Sequence, residues 1–286
     1  MPKKQTYFLI SFILLSGWLI AFQVKEEEFS FRFAPKAGTF LAYSLSSTIR
    51  IDGMTFLGKD LSLIGTARGE IQVKLGQSVA EQVYTAITSP GINVTIQALD
   101  SSDNYLLRTK EGKSLQVVFS QTGRVNEIIN LEALEEKEIM NFSISQILRD
   151  YFPTLPEKPV KIGDSWLDHK RLLIPFQGMK LEVLLEIKYT LNSVFRTQAG
   201  QSANVSVDYN LAVSGKRGLE EMIGLVEGKG VGYGMLNFLI DKGYFTEYRL
   251  NYGIDASLFV KKADKVLMEW PLNLKFYTVL YLMNYD

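Results

Sequence analysis

The side chains that do most enzymatic and metal chemistry are scarce here. The 286 residues contain one histidine, His169, and no cysteine. A Ser-His-Asp triad would have to use His169, and no G-x-S-x-G elbow accompanies it. His169 lies in Leu167-Asp168-His169-Lys170-Arg171, a charged run that reads as solvent-facing. Zinc needs clustered His or Cys and finds neither. Asp100-Ser101-Ser102-Asp103-Asn104 places oxygens close together but lacks the glycine and terminal glutamate of a calcium loop, so it reads as a polar hairpin turn. Gly228-Lys229-Gly230-Val231-Gly232-Tyr233-Gly234 is glycine-dense but departs from G-x-G-x-x-G. A strand-like Met235–Ile240 follows it, where a phosphate cradle needs a helix N-terminus. Close backbone approach in a strand is the expectation. Carboxylate pairs such as Glu220-Glu221, or Asp164 with Asp168, have no spacing that sets them across a cleft. The sequence therefore supports no catalytic residue, metal site or cofactor, and a carboxylate-based hydrolase is the least favoured function.

The elements around these residues are mostly strands. Tyr43–Ile51, Ile71–Leu75, Ile92–Ile96, Leu115–Phe119 and Leu272–Leu280 alternate apolar and polar residues, the period of a sheet with one buried face. The same alternation runs over Leu181–Leu191 and Val205–Val213. Strands of that length must twist and curl. The fold expected is mainly β (α+β): long curved antiparallel sheets, arranged as two half-barrel-like repeats, with one amphipathic helix near 130–151. Asn130 is the expected N-cap of that helix, and Leu131, Leu134, Met140, Ile144, Ile147, Leu148 and Tyr151 form its apolar stripe. Aligning the strand-turn-strand segments on Gly123 and Gly243 motivates the repeat. The aromatic C-terminus also suits an outer-membrane barrel. The expected helix, the Pro-rich centre and the polar Asn284-Tyr285-Asp286 end oppose that reading.

The N-terminus points to export. Met1–Lys4 is short and basic, and Tyr7–Phe22 carries no charge. That stretch is shorter than the ~20 residues of a bilayer span, so residues 1–24 read as a signal peptide or signal anchor. Without Lys3 and Lys4 the balance is 29 basic against 31 acidic side chains. No basic stripe marks a nucleic-acid partner. An exported chain without cysteine must fold by apolar burial alone, as a protein of a bacterial periplasm or envelope does. If uncleaved, Tyr7–Phe22 anchors the chain to the inner membrane. The expected organisation is a β-rich first half at 30–152, a Pro-rich connector at 153–166 and a β-rich second half at 167–286.

The connector carries the most distinctive motif. Leu155-Pro156-Glu157-Lys158-Pro159-Val160-Lys161-Ile162-Gly163-Asp164-Ser165-Trp166 resembles the L-P-x-x-x-V-x-x-G-D-S-W pattern of a family of uncharacterised exported bacterial proteins, with Gln121–Val125 matching that family's earlier glycine-arginine hairpin. The resemblance implies β-rich halves and no catalytic residues. Pro156, Gly163, Asp164 and Trp166 are the candidate motif residues, with a turn at Gly163-Asp164 and Trp166 entering the core. At the level of fold the chain is also similar to the half-barrels of periplasmic lipoprotein carriers, which implies an apolar cavity. Binding a lipid or other apolar ligand is thus the leading function. A membrane-tethered structural or interaction protein with a filled core is the alternative.

Overall fold

The computed structural model describes residues 27–56, 59–98, 101–135, 138–139, 142–143, 152–176, 179–219, 222–263 and 265–285. The expected export segment 1–24 lies outside them. The strands are β1 (Phe40–Phe56), β2 (Lys59–Val79), β3 (Gln82–Ala98), β4 (Ser101–Leu107), β5 (Leu115–Ser120), β6 (Val125–Ile129), β7 (Glu138–Ile139) and β8 (Phe142–Ser143). They continue with β9 (Ser165–Phe176), β10 (Met179–Thr197), β11 (Gly200–Leu219), β12 (Met222–Leu239), β13 (Tyr244–Lys262) and β14 (Lys265–Tyr285). Twelve form one sheet in the order β6-β5-β3-β2-β1-β14-β13-β12-β11-β10-β9, with β4 also on β3, while β7 and β8 pair only with each other. Ser101–Leu107 is thus a strand, so the polar turn expected at Asp100–Asn104 does not hold over Ser101–Asn104, and Asp100 lies outside the described residues.

This order is a meander whose two ends meet in the middle of the sheet. β1 pairs with β14 from Leu41↔Tyr285 to Asp52↔Asn273, so the expected halves share one sheet. The free edges, β6 and β9, come instead from the middle of the chain. The segment that includes the Pro-rich connector runs from one edge to the other.

The alternating segments all fall within strands. β10 and β11 reach 19 and 20 residues, or roughly 60 Å at the usual rise. Along β10 every odd residue from Leu181 to Leu191 is buried. The outward residues between them include Glu182, Glu186 and Lys188, and their outward neighbours across the sheet include Asp208, Lys229, Asp255 and Lys275. A membrane barrel needs an apolar outer band ~25 Å tall around a polar interior. The outward rows here mix those charges with the exposed Leu184, Val231, Tyr233 and Tyr277, so the described strands show no unbroken apolar band.

The expected helix is corrected by the structure. Asn130 adopts a left-handed conformation (φ 61°, ψ 45°) and its side chain caps nothing. Only Leu131–Ala133 winds, as a single 3₁₀ turn, and Leu134 is already extended. The reason is competition for the backbone. Lys110 N–H donates to Ala133 O and Glu135 N–H to Arg108 O, and Thr109 bridges Leu134. These bonds to the 108–110 segment replace the intrahelical ladder. Residues 138–139 and 142–143 are strands, and the rest of 136–151 lies outside the described residues.

Two features shape the sheet. The first is a crease along β12, whose inward positions 228, 230, 232 and 234 are all glycine. A Cβ at Gly228 would lie 2.5 Å from Ala256 Cβ and 2.8 Å from Asp255 O. Paired residues normally hold their Cβ atoms ~4.5–5.5 Å apart, so β12 and β13 fold toward each other on the inner side. The second is an aromatic plug at the end of the sheet where β1 and β9 begin. Phe29, Phe31 and Phe33 are buried there on an extended segment held by Phe29–Val160 and Phe33–Gln121 backbone hydrogen bonds. The Phe31 ring meets Phe238 and Trp166, and the Phe33 ring meets Phe119, at 5.0–6.1 Å.

Candidate functional site

The candidate motif sits in the passage between the two sheet edges. Pro156 follows the buried Leu155, whose N–H donates to Thr122 O in the β5–β6 turn at 2.8 Å. Gly163 adopts φ 92°, which a side chain would resist. It completes a turn in which Asp164 Oδ2 accepts from Lys161 N–H at 2.8 Å. Trp166 is half-buried on β9, stacks on Tyr189 at 5.4 Å with an interplanar angle of 10°, and donates from Nε1 to Thr154 O at 2.8 Å.

A carboxylate outside the candidate motif completes this clasp. Asp168, on β9, is 4% exposed. Its Oδ2 accepts from Thr154 Oγ1 at 2.6 Å and its Oδ1 from Arg124 Nη2 at 3.0 Å. Arg124 belongs to the β5–β6 turn at the other edge. Lys170 Nζ also donates to Phe152 O at 2.7 Å. The connector therefore fastens edge to edge where no strand pairing does. His169 points to solvent beside Glu186 Oε2 at 3.7 Å and takes no part.

Behind the clasp lies a buried tyrosine group. Thr154 N–H donates to the Tyr189 hydroxyl at 3.4 Å, and the Tyr209 and Tyr248 hydroxyls lie 2.6 Å apart. Burial pushes the pKa of Tyr189, Tyr209 and Tyr248 well above the ordinary tyrosine value. It does the same for Tyr43, whose hydroxyl donates to Phe245 O. In the unfolded chain these phenols ionise near pH 10, while in the folded protein they stay protonated. Above pH 10 the folded state therefore binds more protons, and stability must fall as pH rises. Urea unfolding at pH 9, 10.5 and 11 should show the decline beginning near pH 10. Tyr248→Phe should reduce its slope by about 1.4 kcal/mol per pH unit.

The inner face changes character away from the plug. On β1, Tyr43, Leu45 and Ser47 are buried, but Ile49 and Ile51 are only half-buried. On β14, Leu282, Leu280 and Thr278 are buried, Phe276 and Leu274 are half-buried, and Leu272 beyond them is buried again. On β3, Ile87 and Ile92 are buried and Val94 and Ile96 are not fully so. Strand register places these half-buried side chains side by side. Tyr252 and Phe276 stack among them at 4.6 Å. An open depression of about 850 Å³ lies where β11–β14 run past Gly228, and its lining mixes the apolar Val213, Ala256, Phe259 and Leu272 with the charged Asp52, Glu227, Lys229 and Asp255. The half-buried trough can hold an apolar molecule.

Two sequence signals bear on this site. The Phe29-x-Phe31-x-Phe33 alternation marks the plug but spans only five residues beside a charged spacer. Asp168 is indistinguishable in sequence from its charged neighbours, because its burial depends on Arg124 arriving from another edge.

No family model and no curated protein matches the chain. Among solved structures, the chain is similar to the OccK2 (OpdF) protein of Pseudomonas aeruginosa, at 6% identity over 86% of this chain and 98% of that one, with a TM-score of 0.25. It is similar to a putative exported protein with a YmcC-like fold from Bacteroides fragilis, at 11% identity over 90% and 99%, TM-score 0.23. OccAB4 of Acinetobacter baumannii gives 9% identity over 89% and 100%, TM-score 0.20.

Proposed function

We propose that this is an exported protein of a bacterial envelope that binds an apolar, acyl-chain-like ligand in the inner trough. One observation carries the reading: the neighbouring strands β1, β2 and β3 bury their inner apolar side chains near the plug and leave them half-buried farther along, beside the half-buried Phe276 and Leu274 of β14. Apolar surface left open to water costs about 25 cal/mol per Å², so a ligand covering it is stabilised by the same term. The interior rows are almost free of charge, which suits a hydrocarbon better than a polar substrate. Export rests on the basic start and the uncharged Tyr7–Phe22 segment. If that segment is retained, it tethers the protein to a membrane.

Gly65 offers a direct test. It lies on β2 opposite Ile49 and Ile96, and a Cβ placed there meets nothing closer than Ile49 Cβ at 3.9 Å. Gly65→Phe should therefore fill the trough without straining the sheet. The expected result is unchanged or higher thermal stability, with affinity for a fluorescent fatty-acid probe reduced at least about tenfold. Native mass spectrometry of the detergent-free protein should show a co-purifying lipid that the variant lacks. A wild-type protein that carries no ligand and ignores the probe would leave the filled-core structural protein as the better reading.

A further inference from the structure

Between the aromatic plug and the trough, the inner face carries a belt of hydroxyl groups. Ser47, Thr278 and Tyr189 occupy one register row, which runs through Leu250, Gly234 and Val207. Tyr248 stands one inner position nearer the plug and Tyr209 one nearer the open end. The row that includes Tyr209 also holds Tyr252, Phe276 and Ile49, which are only half-buried. The belt is therefore the closed end of the trough. Its oxygens all have partners. Ser47 Oγ lies 2.8 Å from Thr278 Oγ1, and the Tyr209 and Tyr248 hydroxyls lie 2.6 Å apart. Tyr189 is hydrogen-bonded to Tyr248 and accepts from Thr154 N–H. The protons do not balance so well. The Ser47–Thr278 pair has two protons for one bond, and the three tyrosines have three for two. Thr154 N–H occupies the Tyr189 end as a donor, so the surplus tyrosine proton falls at Tyr209. Among the described residues neither surplus proton has an acceptor, and a buried donor without one is costly.

We propose that this belt receives the polar end of the ligand, an uncharged hydrogen-bond acceptor such as an ester or amide carbonyl, and that the chain runs from it along the trough toward the open end. The inference rests on the apolar-ligand reading and specifies the ligand's head. Surplus protons call for an acceptor, so an ammonium head gains nothing there. Charge decides against a carboxylate. From Leu45 to Ile51 on β1, and at the matching inner positions of β14 through β10, no side chain is charged. Asp168 and Lys170 on the adjoining β9 are taken up by the clasp. An ionised head would be buried without a counter-ion, which costs far more than burying a neutral carbonyl that finds a hydrogen bond. Burial also keeps the phenols protonated, so they remain donors.

Three molecules with one chain and different heads test this on the full-length protein: methyl decanoate, decanoate and decylammonium. Each is titrated at neutral pH against the bound fluorescent probe. The ester should bind at least about tenfold more tightly than either ion. Infrared difference spectra of the ester, isotope-labelled at its carbonyl, should place the bound carbonyl stretch at lower frequency than in a hydrocarbon solvent, as a hydrogen bond requires. Ser47→Ala with Thr278→Val removes both partners of one pair and so should leave stability nearly unchanged. Combined with Tyr209→Phe, it should weaken ester binding roughly tenfold, return the carbonyl stretch to its hydrocarbon value and leave decanoate binding as it was. Tyr43→Phe is the control, because that hydroxyl serves Phe245 O on the plug side, and it should preserve the ester preference. Equal affinity for the three heads, a preference for either ion, or a wild-type carbonyl stretch at the hydrocarbon value overturns the head placement while the apolar site stands. Failure of all three molecules to displace or replace the probe removes the apolar-ligand reading and the head placement together.

Discussion

Replacing Phe31 by alanine is expected to lower the free energy of unfolding by about 5 kcal/mol, the upper end of the range for a buried phenylalanine. The position justifies that end of the range. Phe31 is 2% exposed and lies between Phe238 at 5.6 Å and Trp166 at 6.1 Å. Its own backbone segment is held mainly through Phe29 and Phe33. The cavity left by the ring cannot be filled from the strands, whose positions are fixed by long ladders on both sides. Trp166 would also lose one face of its packing while its other face remains on Tyr189. The loss should therefore reach the clasp, which depends on Trp166 and Thr154 together. Urea unfolding monitored by tryptophan fluorescence measures it, with the exposed neighbour Ser30→Ala as a control expected within about 0.5 kcal/mol of wild type. A Phe31→Ala loss below about 1 kcal/mol would mean that the plug is not anchored in the core.

The plug also explains how burial is distributed along the sheet. Aromatic packing stabilises one end, so the other end need not close. A sheet of this length would otherwise have to cover its inner face along the whole of each strand. Here the inner rows of β1, β2, β3 and β14 are covered only over part of their length. The remaining apolar surface stays open at no cost to the packed end.

Alternation made the strands readable. Leu181–Leu191 and Val205–Val213 have apolar residues at every second position, and both lie inside strands with those residues buried. The ends were not readable, because beyond Leu191 the register shifts before Ser193 and the alternation lapses while the pairing continues. The 130–151 stripe misled for a different reason. Spacings of three and four are compatible with a helix only if the backbone is free to form one. Asn130 in the left-handed region and the bonds taken by residues 108–110 prevent that over the described part. The trough was the least legible feature. Ile49 and Ile51 look like Leu45 in sequence, and what separates them is how far each stands from a plug supplied by residues 29–33 and 152–160.

The glycine row on β12 allows a test in which two physical arguments predict opposite signs. In an ordinary strand, replacing glycine by alanine stabilises by roughly 0.5–1 kcal/mol, because glycine loses more backbone freedom on folding. At Gly228 the new Cβ would meet Ala256 Cβ at 2.5 Å, Ala256 Cα at 2.8 Å and Asp255 O at 2.8 Å. None of these atoms is the far end of a flexible side chain, so relief requires β12 and β13 to move apart. Such overpacking costs about 1–3 kcal/mol. Gly228→Ala is therefore expected to destabilise by that amount. Gly218→Ala on β11, where a Cβ meets nothing within 4 Å, should be neutral or slightly stabilising. Chemical denaturation of the two variants beside wild type separates the cases. Stabilisation by both would mean that β12 runs flat and that strand propensity alone governs these positions. The expected divergence would identify the crease as what brings β11 and β13 together around the depression. Opening it should enlarge the site bounded by Val213, Gly228 and Ala256, so any Gly228→Ala protein that still folds should bind a bulkier apolar probe than wild type does.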